Sequence, residues 1–568
     1  MARLPALLAQ LSGPGQLFEV VGDTMYGRPV RTYANRPRNL VELFGFRFAH
    51  GDRPYVVQGA RRLTFGEVFD QALAAAGHLH HRLGLQPGDR VAVIGANAPE
   101  WVVAFWATVA LQGIVVPLNA WWTADELAYG LEDSGAAFVF ADARRAHAVV
   151  EAGYDPDRVA VWGPGDGPVG VRRMDDLTEG DPLADGVIAP VGEDEVAAIF
   201  YTSGTTGRPK GSANTHRNII SNLLNAGIFT TAAKLMDDTW EETGEPDVNL
   251  CVIPLFHATA NFTYLVPYVF TGSTLVFLPP GRFDPEVAAA IIERERVTTF
   301  GGVPTVVARL LDAEVHRRHD LSSVRTVGYG GAPASPRLLE RIAEAFPRLR
   351  HRVAQGYGLT ETSAITTVNV GPDYQEKPDS VGPPAPVCDL RIVGPDDTDL
   401  PVGTPGEILV WGPNVISGYW NRPDADRQAF CDGYLRTGDI GYLDEDGFLY
   451  ITDRSKDMVI RGGENVYCVE VEAAVESHPA VREVAVVGVP HPEWGEEVKA
   501  VVVVDAGAEV TTEELAAHAA RSLAPFKVPT HWELRTELLP RNPSGKVLKT
   551  ALREGRVFQV GDDYDSAL

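Results

Sequence analysis

From about residue 90, short apolar runs alternate with longer segments whose apolar positions repeat at a helical period. The runs predict strands at 90–94, 114–117, 137–141, 196–200, 248–253, 273–278, 298–301 and 325–327. Helices are predicted at 99–112, 284–294, 304–313 and 335–346, with Pro304 suited to a first helical turn. Such alternation argues for largely parallel sheets covered on both faces. Residues 101–122 carry no charged side chain and approach membrane-spanning length. Gln112, Gly113, Pro117 and Asn119 interrupt the run, so it reads as a buried helix and a core strand, with no integral membrane segment.

The texture changes after residue 380. Short strands at 389–393, 407–411 and 448–452 lie between Gly, Pro and Asp turns, predicting an antiparallel subdomain built as a small barrel. From Lys456 a helix at 470–477, strands at 484–489 and 498–504, a helix at 512–523 and a closing helix after Lys546 make an α+β unit of roughly 110 residues. The expected class is therefore α/β. A large N-terminal domain (1–455), with parallel-rich sheets and a small β-barrel subdomain, precedes a small C-terminal α+β domain (456–568).

At 568 residues the chain exceeds one ordinary domain. A formal net charge of −26 argues against general nucleic-acid binding. Four scattered cysteines form no C-x-x-C pair, which points to neither a zinc site nor a disulfide framework and suits the reducing cytoplasm. No secretory leader is expected at the N-terminus, and the ending Asp565-Ser566-Ala567-Leu568 is not a peroxisomal address. Oligomeric state is not legible; a homodimer is one option.

The strand at 196–200 leads into Tyr201-Thr202-Ser203-Gly204-Thr205-Thr206-Gly207-Arg208-Pro209-Lys210-Gly211, and a helix begins near Thr215. Strand, loop of glycines, hydroxyls and a lysine, then helix is a device for holding phosphate. The spacing is not that of the P-loop. In Gln355-Gly356-Tyr357-Gly358-Leu359-Thr360-Glu361, Tyr357 offers a flat face for a purine. Thr360 is within reach of a phosphate, and Glu361 is a hard ligand for Mg²⁺. A plain turn with an exposed acid would read the same way. Gly330-Gly331-Ala332-Pro333 ends a strand and leaves room for a flat ligand. Asp439 is a candidate acceptor for two ribose hydroxyls and Arg454 a ribose or phosphate partner, whereas Asp444 and Asp446 read as solvated turn residues. Asn542-Pro543-Ser544-Gly545-Lys546 carries a lysine on a loop.

These motifs, in this order over nearly the whole chain, resemble the AMP-forming acyl-CoA synthetases of the adenylate-forming superfamily. The resemblance implies ATP, Mg²⁺ and coenzyme A as co-substrates and a small-molecule carboxylic acid as the group activated. It gives phosphate binding to Thr202, Ser203, Gly204, Thr205, Thr206, Gly207 and Lys210. Adenine and α-phosphate fall to Gly331, Ala332, Pro333, Gln355, Gly356, Tyr357, Gly358 and Thr360. It gives Mg²⁺ to Glu361 and ribose to Asp439 and Arg454. Lys546 becomes the catalytic lysine of adenylation, Lys456 the hinge of a mobile C-terminal domain, and Gly462 and Gly463 the wall of a pantetheine tunnel that Trp494 could share.

Substrate class turns on Pro254-Leu255-Phe256-His257-Ala258-Thr259. Amino-acid-activating relatives place an aspartate where His257 stands, so histidine argues for a plain carboxylic acid. Phe256, His257, Phe262, Tyr329, Gly330 and Gly356 are the candidate acyl pocket, although core packing explains the aromatics equally well. The expected activity is acyl-CoA ligation of a medium- or long-chain fatty acid. Alternatives are an aryl or polycyclic acid, a fatty acyl-AMP ligase loading a carrier protein, a luciferase-like oxygenase, and a silent nucleotide-binding module.

Overall fold

The computed structural model describes residues 3–165, 167–184, 191–202, 208–241, 244–302, 304–330, 336–346, 349, 352–454, 457–461, 464–491, 494–504, 507, 510–541 and 547–553. Two large sheets dominate. In the first, the strand order is Lys210–Thr215, Val196–Thr202, Ile114–Pro117, Arg90–Ile94, Phe138–Asp142, Val159–Trp162 and Arg172–Arg173. All neighbours are parallel except the first pair. The second sheet runs Thr367–Val370, Val353–Tyr357, Thr326–Gly330, Thr299–Gly302, Val248–Cys251, Thr274–Phe277, Pro54–Gln58 and Arg61–Thr64, parallel in the middle and antiparallel at both edges.

The uncharged stretch resolves as expected into a helix, Pro99–Ala110, and the strand Ile114–Pro117. Proline at the first turn starts the helix, and Trp101 and Trp106 are fully buried. Trp106 Nε1 donates to Tyr55 Oη at 3.2 Å, and Tyr55 Oη donates to Leu265 O at 2.8 Å, so both polar tips are satisfied inside the core. The helix Phe65–His81 packs beside it and starts with a reciprocal Thr64–Glu67 capping box. One apolar cluster takes in these helices and strands of both large sheets. Among the described residues, no helix is long and apolar enough to cross a membrane.

Three expectations change. The phosphate loop does not run straight into a helix. Lys210–Thr215 is a strand that returns antiparallel along Val196–Thr202, and the helix His216–Met236 follows it. The strand was hidden because Gly211, Ser212 and Asn214 supply no apolar run. The antiparallel region is an open five-stranded sheet in the order Asp389–Val393, Gly406–Trp411, Tyr434–Leu443, Phe430–Cys431, with Leu449–Arg454 on the third strand. No pairing between its end strands closes a barrel among the described residues. Asp444 and Asp446 are not merely solvated: Lys377 Nζ bridges them at 2.5 and 2.8 Å across the hairpin turn.

The last sheet orders Glu464–Val466, Val459–Arg461, Gly495–Val504 and Val481–His491, with His531–Arg535 parallel to Gly495–Val504. Helices Cys468–Glu476 and Thr512–Ala519 cover it, and Lys549–Arg553 follows. Its apolar clusters draw only on residues from Val459 onward.

Candidate active site

Thr202 and Lys210 form the last register pair of the hairpin, so the chain leaves and re-enters the first sheet at one point. Ser203, Gly204, Thr205, Thr206 and Gly207 lie outside the described residues. The stems on either side are gripped by one helix, Ala124–Ser134. Tyr201 Oη donates to Asp133 Oδ2 at 2.8 Å, and Tyr129 Oη donates to Pro209 O at 2.8 Å. Arg422 ties Tyr129 to Asp133 at 2.6 and 2.8 Å. Burial, and then Asp133, raises the Tyr201 phenol above its ordinary value, so it remains a donor at neutral pH.

Gln355, Gly356 and Tyr357 belong to a strand, Val353–Tyr357, rather than to the loop after one. The chain then turns at Gly358, where an added Cβ would lie 1.6 Å from Ala364 O, so no side chain fits. Thr360–Thr362 makes one 3-10 turn and ends at Ser363 in the left-handed region, φ 51°. Thr360 O accepts from Ser212 Oγ at 3.3 Å and from Asn214 Nδ2 at 3.0 Å, which docks the turn on the returning hairpin strand.

Glu361 thereby faces that strand. Its Oε1 accepts from Tyr419 Oη at 2.8 Å, while Lys210 Nζ stands 5.1 Å from the centre of the same tyrosine ring. Among the described residues Glu361 Oε2 accepts no hydrogen bond and Lys210 makes no ion pair. A cation without a carboxylate and a carboxylate oxygen without a donor suit a phosphate with its metal. No group of three or more His, Cys, Asp or Glu among the described residues makes a metal cage. One protein oxygen plus substrate phosphates and water is the donor set Mg²⁺ accepts.

Sequence reasoning missed the scaffold behind this turn. Asn218, Asn222 and Asn225 are fully buried and recur at helical spacing on the helix His216–Met236, and Asn214 is buried on the strand before it. Asn218 Nδ2 donates to Pro413 O and Val415 O, both at 2.9 Å. Asn222 Nδ2 donates to Phe262 O at 2.7 Å, and its Oδ1 accepts from Ile365 N at 2.8 Å. Asn225 Nδ2 donates to Ile365 O at 3.2 Å. The available signal was that repeat: a polar stripe on an otherwise apolar helix demands buried partners.

Among the residues expected to hold the nucleoside, Asp439 sits on the strand Tyr434–Leu443, 3% exposed, in register with Arg454. Tyr357 Oη donates to Asp439 Oδ2 at 2.7 Å. Gly330 and Gly356 are register partners on adjacent strands, leaving bare backbone for a flat ring. Gln355 is buried and accepts from Tyr374 Oη at 3.3 Å. The Arg454 side chain and Gly331, Ala332 and Pro333 lie outside the described residues.

In the segment expected to line the acyl pocket, Phe256 stacks edge-on against Trp121 at 5.0 Å and lies 4.6 Å from His257, ring to ring. Asn97 pins this segment, donating to Ile253 O at 2.9 Å and accepting from Leu255 N at 2.7 Å. Phe262 is fully buried against Phe200, and Tyr329 packs in the core of the second sheet with its hydroxyl on Tyr374. Packing accounts for both. No Asp or Glu occurs between Pro254 and Leu265. In the last sheet's unit, Trp494 is 43% exposed with the Arg461 guanidinium 5.8 Å over its ring. Lys456, Gly462, Gly463 and Lys546 lie outside the described residues.

A family model described as AMP-binding enzyme matches residues 47–420, and one described as AMP-binding enzyme C-terminal domain matches residues 470–546. The chain belongs to the AMP-binding enzyme family. A feruloyl-CoA synthase from an Amycolatopsis species is 36% identical over 88% of this chain and 95% of its own length. A long-chain-fatty-acid–CoA ligase from Bacillus subtilis is 35% identical over 87% of this chain and 90% of its own. The crystal structure of ATP-bound MatB from Rhodopseudomonas palustris superposes with a TM-score of 0.78 at 34% identity, covering 91% of this chain and 99% of that one. This AMP-binding enzyme is an ATP-dependent, AMP-forming acid–CoA ligase. The fold is that of its adenylate-forming relatives.

Proposed function

We propose that the chain activates an apolar carboxylic acid, a medium- or long-chain fatty acid first, as its acyl-adenylate and passes the acyl group to coenzyme A. The observation that supports this reading best is the meeting of Lys210 and Glu361 at Tyr419, beside the last register pair before the hydroxyl- and glycine-rich loop.

In the first half-reaction the substrate carboxylate attacks the α-phosphorus. A new O–P bond forms as the bond to pyrophosphate breaks. Lys210 and the Thr202–Gly207 donors hold the leaving phosphates, while Asp439 and Arg454 hold the ribose. Tyr357, with the bare backbone of Gly356 and Gly358, Gln355, and Gly331 to Pro333, frames the adenine, and Thr360 meets the α-phosphate. Glu361 holds the Mg²⁺, whose bound form supplies charge neutralisation along the triphosphate. Lys546 brings a cation to the α-phosphate and the attacking carboxylate, where charge grows.

The division near residue 455 then lets the C-terminal part turn about Lys456. Lys546 withdraws, and Gly462 and Gly463 line a path for the thiol, with Trp494 beside it. The thiolate attacks the acyl carbon and AMP leaves. His257 walls the acyl site. A residue without fixed charge in a segment lacking Asp and Glu disfavours an α-amino acid substrate. Four free cysteines suit a cytoplasmic setting.

A panel of carboxylic acids scored by CoA-dependent AMP release tests the reading. Turnover restricted to α-amino acids, or AMP release needing a carrier protein instead of CoA, overturns it. An aryl acid is the second reading. It is favoured by the Trp121–Phe256 edge-on pair beside His257 and by the likeness to a feruloyl-CoA synthase.

A further inference from the structure

The reading above leaves Tyr419 without a task, yet it is held by backbone and by side chain. Its backbone extends the first sheet by one segment. Ala213 N donates to Gly418 O at 3.2 Å, and Trp420 N donates to Gly211 O at 2.7 Å, so residues 418–420 lie antiparallel to the returning hairpin strand through a Ser212–Tyr419 bridge. On the far side, Tyr419 N donates to Asp426 Oδ1 at 2.7 Å, in the first turn of the helix Pro423–Ala429. The neighbouring Gly418, at φ 157°, has no room for a Cβ, which would fall 2.8 Å from the Asp426 carboxylate.

Two more contacts complete the arrangement. Ile416 N donates to Glu361 O at 3.0 Å, so the 416–419 segment holds Glu361 by backbone and by side chain at once. The same tyrosine ring faces the Lys210 ammonium at 5.1 Å, a cation–π distance. One aromatic side chain therefore contacts both groups of opposite charge, and among the described residues the two form no direct ion pair. A direct Lys210–Glu361 salt bridge would take both groups away from substrate.

We propose that Tyr419 is a positioning residue for the first half-reaction: its hydroxyl orients the Glu361 carboxylate so that the other oxygen meets the Mg²⁺ of bound ATP, and its ring keeps Lys210 from collapsing onto Glu361. It touches neither substrate nor reacting atom. The inference rests on the assignment of Glu361 to Mg²⁺, and the test separates the two.

The test is the gain in ATP affinity on adding Mg²⁺, measured by equilibrium dialysis without any acid, so that no turnover enters. Losing a hydrogen bond to a charged group corresponds to about a tenfold effect. Tyr419→Phe, which keeps the ring, is expected to lose about tenfold of the Mg²⁺-dependent gain while metal-free ATP binding stays within about twofold. Glu361→Gln is expected to lose the gain as well, and the double variant to lose no more than Glu361→Gln alone, because the hydroxyl acts through the carboxylate. If Glu361→Gln loses the gain and Tyr419→Phe keeps it, the inference is overturned and the Mg²⁺ assignment stands. The inference also falls if the two losses multiply in the double variant, or if Tyr419→Phe weakens ATP equally with and without metal. If Glu361→Gln keeps the gain, the Mg²⁺ assignment itself fails and takes the inference with it.

Discussion

The backbone amide of Cys468 donates to Asp453 Oδ2 at 2.5 Å, with Asp453 2% exposed. Asp453 ends the antiparallel sheet of the large part, and Cys468 opens the first helix of the last unit. This tie spans the position assigned to the hinge, Lys456. Another contact between the two parts is the exposed ion pair Arg482–Asp312 at 3.6 Å, of a kind worth little. No apolar cluster joins them among the described residues. If the last unit turns about Lys456, the Asp453–Cys468 bond opens. Asp453→Ala should then shift the ratio of the adenylation rate to the thioester rate by about fivefold, the size of a ~1 kcal/mol bond. Equal slowing of both would mark Asp453 as structural only.

Lys546 is assigned to adenylation alone. Lys546→Ala should lower acid-dependent ATP–pyrophosphate exchange by about 10²- to 10³-fold, the usual range for one charge-stabilising group. Thioester formation from supplied acyl-AMP and CoA should persist. Lys456→Pro should impair the second step and spare the first. Full exchange activity in Lys546→Ala would refute the assignment.

Asp439 accepts from Tyr357 at 2.7 Å and is deeply buried. With the ribose hydroxyls as further donors, Asp439→Ala removes charge-assisted bonds worth roughly 1.5–3 kcal/mol each. A fall of about 10²-fold in kcat/KM for ATP is expected, with KM for the acid little changed. Steady-state kinetics varying each substrate separates the two.

Asn222 satisfies Phe262 O and Ile365 N at 2.7 and 2.8 Å inside the core. Asn222→Leu leaves both without a partner, at about 1–3 kcal/mol per group. Chemical denaturation should show a loss on the order of 2–5 kcal/mol. The fall in adenylation should exceed the fall in acyl-AMP binding, because Ile365 belongs to the chain that carries Glu361.

Burial pushes the His216 imidazole down to about 4, while its Nδ1 accepts from Leu40 N at 3.2 Å. The folded protein therefore holds this ring neutral where the unfolded chain, titrating near 6.5, is already protonated. The unfolded state binds more protons between those values, so stability falls as pH drops from about 6.5 to about 4 and then levels off. The span is on the order of 3 kcal/mol. Denaturation midpoints measured against pH should show this slope, and His216→Gln should flatten it.

Much of this enzyme is local chemistry, and local chemistry is legible in sequence. The strand at 90–94, the buried run 101–122 and the α/β alternation follow from period and from Gly and Pro punctuation, which act within a few residues. Glu361, Lys210 and Asp439 stand out because their motifs are contiguous. Folding alone decided what those residues face. The strand Lys210–Thr215 forms despite a weak propensity because its partner Val196–Thr202 supplies the hydrogen bonds. The asparagine row has a purpose only once residues 360–365 and 413–415 lie against it. Tyr419 meets Glu361 from far along the chain, and nothing local marks it. Phe262 and Tyr329 looked like pocket aromatics and pack as core, since an apolar ring obeys the same sequence rule in either place. The amino-acid string thus specified which groups can do phosphate and carboxylate chemistry, because that depends on their atoms. Their orientation and spacing rest on buried long-range hydrogen bonds, which exist only after the chain has collapsed.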